Sequence, residues 1–167
     1  MKENETITNT QTTLIDTIVK SDLSTFSITY NGVAKKESES FGKKKVDYYV
    51  SYQSKVQAGI DFSKIKFEKN DEKKQIRIVQ PEVQIMDINV DIESFDYIFI
   101  NKKSETKTVA SETYALVNED VHKSINEEQA VIDYARENAT NIINALSEPF
   151  RDKLKKYDWE IVVEVQE

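Results

Sequence analysis

The sequence predicts an α+β fold: an antiparallel sheet of meanders and hairpins with a short N-terminal helix, two C-terminal helices on one face and a closing C-terminal strand. Two observations predict it. Between residues 26 and 99, apolar side chains recur at every second position, which is the period of a strand. From residue 104 onwards they recur at spacings of three and four, which is the period of a helix. Strands followed by helices are typical of α+β domains.

Length and composition limit the functions that the chain can have. It has 167 residues, with 23 Lys and Arg against 30 Asp and Glu, and a formal charge of −7. That charge disfavours nucleic-acid binding, because phosphates are also negative. The absence of cysteine excludes disulfides, thiolate nucleophiles and zinc–thiolate sites. Residues 1–12, rich in Thr, Asn and Glu, are predicted to be a disordered lead, and residues 13–167 a single α+β domain.

The first elements are predicted to be a helix and a hairpin. Asn31-Gly32 follows an alternating strand, and this dipeptide is typical of a two-residue hairpin turn. Gly42 is expected to break the return segment in a charged loop, before a long alternating strand over residues 46–58. The short helix is predicted by four apolar residues at helical spacing: Leu14, Ile15, Ile18 and Val19.

The middle of the chain predicts further strands. Residues 64–79 read as a hairpin with a polar turn at residues 70–74. Pro81 marks a strand start or an edge, because proline cannot donate to a ladder. The apolar phase slips by one residue near Met86, which predicts a bulge or a bend there. Residues 95–99 predict one more strand.

Two helices and a strand are predicted to close the fold. Ser124 and Glu127 have the spacing of a capping box, so a long helix should begin there and run to about residue 147. Pro149 is expected to kink or end that helix. In the closing strand, Trp159 shares its phase with three apolar residues and is predicted to be a core residue.

The stretch around Gly59 comes closest to a functional motif. Gly59 ends a strand and allows unusual backbone angles, while Asp61 and Ser63 can hydrogen-bond to backbone N–H groups in a turn. A bend that needs no ligand is the favoured interpretation. The alternative is a small-ligand or hydrolase site that uses Asp61 and neighbouring carboxylates.

No set of residues predicts catalysis or metal binding, and no cofactor is expected. His122 is the only histidine and is interpreted as a polar residue near the C-terminus of a helix. Asp87, Asn89 and Asp91 have the spacing that opens a calcium-binding loop, but that loop also needs later Gly and Glu residues that this chain lacks. They are interpreted as the solvated side of a strand.

The long helix carries a candidate interface. Its apolar arc is roughly 180° wide, whereas a helix that rests on a sheet needs about 100°. Ile132 and Ile143 form the surplus edge. Packing against the preceding helix, which carries Tyr114 and Val117, is the favoured interpretation. The alternative is the same helix of a second chain, so a homo-oligomer is the less favoured expectation.

Several segments resemble one family, in the same order along the chain. Val56-Gln-Ala-Gly-Ile-Asp-Phe-Ser-Lys-Ile65 resembles the strand followed by G-I-D-L-S of the bacterial domain-of-unknown-function family numbered 4230. Leu23-Ser-Thr-Phe-Ser-Ile-Thr-Tyr30 resembles its early L-x-T-x-x-x-x-Y strand, and Ile78-Val-Gln-Pro-Glu-Val-Gln-Ile85 resembles its L-P-x-x-x-I strand. Residues 130–146 resemble its late Ala-rich helix. The resemblance implies a fold and supplies no activity.

These observations predict a non-catalytic interaction or scaffold module with a protein partner. Members of the family often carry an N-terminal membrane helix, so the resemblance implies a tether through a segment that is absent here. No apolar run in the chain has the length of a membrane span. A cytoplasmic location is the default expectation, and the cell envelope is the alternative if the chain is a shortened form.

Overall fold

The computed structural model describes residues 2–21 and 25–167. Met1 and residues 22–24 lie outside the described residues. Leu23 and Ser24, the first two residues of the early strand motif, therefore lie outside them too.

The described residues form helices and strands in the order that the sequence predicts, which confirms the α+β class. Two 3-10 turns, Phe62–Lys64 and Lys102–Ser104, follow the strands that end at Gly59 and Phe99. The helices are α1 Lys2–Val19, α2 Val109–Glu127 and α3 Gln129–Lys155. The strands are β1 Thr25–Ser40, β2 Lys43–Gly59, β3 Lys66–Asn70, β4 Gln75–Gln80, β5 Gln84–Phe99 and β6 Glu160–Val165.

The chain divides into two compact units, where the sequence analysis predicted a single domain over residues 13–167. The first unit comprises Met1–Phe26, Ala58–Gln84 and Ala130–Glu167. The second comprises Ser27–Gln57 and Ile85–Gln129. The first therefore contains α1, α3 and the sheet of order β3-β4-β6, and the second contains α2 and most of the sheet of order β1-β2-β5.

The sheet of the first unit is mixed. β3 and β4 are antiparallel neighbours around a turn at residues 71–74, which confirms the predicted hairpin. β6 pairs with β4 in parallel, so that Ile76 lies beside Ile161. On the other face of β4, Arg77 forms ion pairs with Glu68 on β3 and Glu164 on β6.

The core of the first unit is one apolar cluster beneath this sheet. Trp159 belongs to it and is 6% exposed, which confirms the predicted core position. The other buried members are Ile7, Leu14, Ile18, Ile60, Phe62, Ile65, Ile76, Ile78, Ala139, Ile143, Phe150, Leu154 and Ile161.

Helix α1 replaces the disordered lead that was predicted for residues 1–12. It begins at Lys2, and Ile7 and Thr10 are buried together with Leu14 and Ile18. The spacings of three and four between these residues put one stripe on the core although the segment is polar overall. Composition therefore gave the wrong prediction, because a narrow stripe is enough to dock a helix.

The two isoleucines of the predicted interface on α3 differ in how deeply they are buried. Ile143 is fully buried in the cluster that also contains Ile7, Leu14 and Ile18 of α1. Ile132 is half-buried. Ile143 thus shares its cluster with residues of α1 and of the sheet. Packing against the helix that carries Tyr114 and Val117, and its alternative of a second chain, stay predictions.

In the second unit, one face of the sheet is covered by α2. β2 alternates strictly, with its even-numbered side chains buried and its odd-numbered side chains exposed between Tyr48 and Val56. Helix α2 buries a matching stripe at spacings of four, made up of Thr113, Val117, Val121 and Ile125. The burial of one face of β2 therefore follows from the period-two pattern of its sequence.

The hairpin turn predicted at Asn31 and Gly32 is wrong, because both residues lie inside β1. Phe41 and Gly42 form the turn between β1 and β2, with φ angles of 53° and 74°. Two positive φ angles are characteristic of a type I′ turn. Gly32 is needed for another reason: a Cβ atom there would lie 2.8 Å from Cε1 of Tyr52, whose ring passes over it.

The remaining boundaries differ from the predictions in detail. β5 is one strand, in which Ile85 and Ile88 are half-buried on either side of two exposed residues, as the slip predicted near Met86 requires. The capping box is wrong, since Ser124 lies inside α2 and α3 begins only at Gln129. Helix α3 also continues past Pro149 to Lys155.

Candidate functional site

The side chain of Asp61 makes its hydrogen bonds within the turn that carries it. Asp61 caps the 3-10 turn Phe62–Lys64, and its Oδ1 accepts from the backbone N of Ser63 at 3.0 Å and from Ser63 Oγ at 2.6 Å. These two bonds lower the pKa of Asp61. Gly59 is buried at the end of β2, and the described glycine with a positive φ is Gly42 instead. This arrangement favours a structural bend over a carboxylate site.

Two acidic residues of β5, Asp91 and Glu93, lie at a local break in the strand pairing, which we call the bulge at Asp91. Asp91 Oδ1 accepts from the N–H of Glu93 at 3.0 Å, and the carbonyl of Asp91 accepts from Ser94 Oγ at 2.5 Å. Ser94 Oγ in turn accepts from the N–H of Gln53 at 2.8 Å, in place of a carbonyl of the ladder. The described residues contain no group of three acidic or imidazole side chains that could hold a metal ion.

His122 is exposed on α2, where its Nδ1 lies 2.6 Å from the carbonyl oxygen of Asn118 in the preceding turn. That contact is local to the helix.

Two tyrosines attach α2 to the inner face of the β1-β2-β5 sheet. Tyr48 and Thr113 share a hydrogen bond of 3.0 Å, and Tyr52 donates to Asp120 Oδ2 at 2.6 Å. Burial is the main cause that raises the pKa of Tyr52 well above its usual range, and the bond to Asp120 adds to it. Polar groups thus hold this core together, so α2 has a fixed position on the sheet.

The outer face of the same sheet carries a group of exposed apolar side chains. Tyr48 contacts Tyr97 and Phe99 on the inner face of the sheet. Because side chains alternate between the two faces of a strand, Tyr49, which follows Tyr48, and Ile98, which lies between Tyr97 and Phe99, point outwards. We call the outward group of Val33, Tyr49, Ile98 and Ile100 the outer patch. Ile98 and Val33 are each 65% exposed, Ile100 62% and Tyr49 38%. Large apolar side chains grouped in this way on a surface indicate a contact surface.

Open clefts run along this face. One of about 720 Å³ includes Tyr49, Ile100 and Lys45 in its lining, and one of about 460 Å³ includes Val33 and Ser51. A third, of about 600 Å³, lies beside the bulge at Asp91. They are open furrows over the strands, which suits a protein surface better than an enclosed small molecule.

The turn at the end of this sheet was missed by sequence reasoning. Phe41 is fully exposed, at 103% of its reference area, and Lys43, Lys44 and Lys45 follow Gly42. The sequence predicts a charged loop here. The signal that could have found the turn is Gly42 itself, flanked by two long polar strands of nearly equal length.

A family model described as a protein of unknown function, DUF4230, matches residues 19–165. The chain belongs to the DUF4230 family. The match confirms the resemblance read from the motifs, and it spans most of both units of this DUF4230 chain. No curated protein and no solved structure matches it. Within the described residues of this DUF4230 protein, no helix combines the length and the hydropathy that crossing a membrane requires.

Proposed function

We propose that the chain is a non-catalytic interaction or scaffold module that binds a partner protein through the outer patch. The observation that carries the proposal is the exposure of four large apolar side chains on the face of the sheet turned away from α2. Such residues reduce solubility unless a partner covers them.

The chemistry of the patch defines the partner. The apolar centre is flanked by Lys45 at one end and by Asp91 and Asp96 on β5, all exposed. A partner of matching chemistry presents apolar or aromatic side chains to Tyr49, Ile98 and Ile100, with an acidic group beside Lys45. We propose a different protein as the partner, and a second copy of the same face is the alternative occupant.

The test compares three forms of the chain as bait. A variant with Ile98→Thr and Ile100→Thr removes the centre of the patch but keeps residues that suit strands. Tyr134→Ser is the matched control, because Tyr134 is a 60% exposed aromatic residue on α3. We expect a partner that binds the wild type and the control and that binds the patch variant at least about tenfold more weakly, since two buried isoleucines contribute several kcal/mol.

The partner is then purified, and its contact is mapped by hydrogen exchange. Protection in β2 and β5 supports the proposal. A partner that binds the patch variant as tightly as the wild type, or that protects other elements, would overturn it.

A further inference from the structure

The hairpin of β1 and β2 projects as a two-stranded ribbon. β5 ends at Phe99, and the next two N–H groups, those of Ile100 and Asn101, both donate to the carbonyl of Asp47 at 2.9 Å. Every residue from 38 to 45 is exposed. We call residues 38–45 the ribbon. The ribbon thus contains three residues of each strand, 38–40 and 43–45, which span roughly 10 Å beyond the last β5 contact.

The turn at the end of the ribbon exposes an aromatic side chain, Phe41, whose presence the fold does not explain. Phe41 is fully exposed, and its φ of 53° lies in the left-handed region that bulky residues rarely adopt. The first position of a type I′ turn favours Asn, Asp or Gly. Neither burial nor turn preference explains a phenylalanine here, so a contact outside the chain explains it better.

The charges of the ribbon indicate which contact. It carries Lys43, Lys44 and Lys45 against Glu39 alone, although the whole chain has a charge of −7. None of the ion pairs among the described residues involves these three lysines. The nearest cation–carboxylate pair of the hairpin, Lys35 with Glu37 at 2.8 Å, lies outside the ribbon.

The distribution of the lysines distinguishes a flat surface from a pocket. Successive side chains of a strand point to opposite faces, so Lys44 lies on one face of the ribbon and Lys43 and Lys45 on the other. A partner lying against one face would leave cations unpaired on the other. If the end of the ribbon meets a flat, negatively charged surface, that surface contacts Phe41 and the lysines of both faces at the same time.

We propose that the ribbon docks end-on at the surface of an anionic lipid bilayer. Phe41 enters the boundary between headgroups and acyl chains, and the three lysines contact anionic headgroups. One aromatic residue and three cations give weak, reversible binding that needs both signals. The site shares Lys45 with the margin of the outer patch, but Phe41, Lys43 and Lys44 lie outside that patch, and the proposal does not depend on the proposed function.

The first experiment measures co-sedimentation of the full chain with vesicles. Binding is expected with mixed phosphatidylcholine and phosphatidylserine vesicles, should fall as salt rises, and should be nearly absent with phosphatidylcholine alone. Lys44→Gln should weaken binding about fivefold. Equal binding to both kinds of vesicle, or no binding to either, would overturn the proposal.

Phe41→Asn separates the anchor from the fold. It creates the Asn-Gly pair that type I′ turns favour, so the hairpin should form at least as well as before. Vesicle binding should nevertheless fall about tenfold, because the apolar contact is lost. Tyr134→Asn, which removes an exposed aromatic residue in the other unit, should leave binding unchanged. If Phe41→Asn binds like the wild type, the contact is one of charge alone and the proposal fails.

Insertion is read directly from a tryptophan at the turn. In a chain with Trp159→Phe and Phe41→Trp, whose fold is checked by circular dichroism, emission should shift to the blue on anionic vesicles and brominated acyl chains should quench it. Emission that stays red while the chain sediments with vesicles would contradict insertion. A purified protein that binds the turn and loses affinity with Phe41→Asn, in a chain that ignores vesicles, would assign the turn to a protein and overturn the proposal.

Discussion

The two units of the chain use their apolar side chains differently. The first unit buries them in one cluster around Trp159 and Ile143. In the second unit, Tyr48 and Tyr52 reach polar partners on α2. Of the described large apolar residues that are exposed, Val19, Tyr134 and Val165 lie in the first unit. The second unit contains the other eight: Val33, Phe41, Tyr49, Met86, Ile92, Ile98, Ile100 and Tyr114. The first unit therefore covers most of its large apolar side chains, whereas the second leaves more of them exposed to solvent.

The largest effect is expected in the core of the first unit. Ile143→Ala should lower the free energy of unfolding by about 2–5 kcal/mol, because Ile143 is fully buried and the cavity cannot be filled by water. Urea unfolding followed by Trp159 emission measures it, since the single tryptophan lies in the same cluster. Val19→Ala, at a 44% exposed position on α1, is the control and should cost well under about 1 kcal/mol. Equal costs for the two variants would contradict the assignment of this core.

A smaller effect is expected in the second unit from Gly32→Ala. The new methyl group would overlap the ring of Tyr52, so the ring must move and its hydrogen bond to Asp120 must lengthen. We expect a loss of about 1–3 kcal/mol. Near-ultraviolet circular dichroism of the tyrosines, most of which lie in this unit, should report the change while the native emission of Trp159 stays the same. A native Trp159 spectrum that changes as much as the tyrosine signal would contradict the local effect.

The smallest effect is expected from Tyr52→Phe, with a cost of about 1 kcal/mol at neutral pH. Burial raises the pKa of Tyr52, so above the usual tyrosine pKa of about 10 the unfolded chain loses a proton that the folded chain keeps. The contribution of Tyr52 to stability should therefore be constant below that pH and fall as pH rises beyond it. Tyr52→Phe should make this decline shallower.

Part of the alkaline decline should remain in Tyr52→Phe, because burial also raises the pKa of Tyr48. Tyr49→Phe, on the outer face of the same strand, is the matched control for the loss of a tyrosine hydroxyl. Urea midpoints at a series of alkaline pH values measure all three chains. If Tyr52→Phe leaves the decline unchanged, Tyr52 is not the group responsible.

The sequence predicted well wherever a side-chain period decides the structure. The alternation of β2, the β3–β4 hairpin and the burial of Trp159 follow from period two, since one face of each strand must leave water. The family was also identified from short motifs, and the family match confirms it.

Predictions failed where local preference and tertiary packing disagree. Asn31-Gly32 has the better turn composition, but the ring of Tyr52 needs space over Gly32 and the chain turns at Phe41 and Gly42 instead. Helix α1 was missed because its polar composition hides one narrow stripe. The outer patch could not be predicted either, because its residues come from three strands and meet only in the folded sheet.

The parallel pairing of β4 with β6 has a consequence for synthesis. Hydrogen-bonded residues of the two strands, such as Gln75 and Glu160, are 85 positions apart in the chain. A ribosome that adds residues one by one completes β4 seconds before β6 exists. During that interval Ile76 and Ile78 lack their β6 neighbours Ile161 and Val163, while the remaining residues of the second unit are being made. The nascent chain therefore has an unpaired strand edge at β4, and a chaperone that binds short apolar strands would protect this edge until β6 is made.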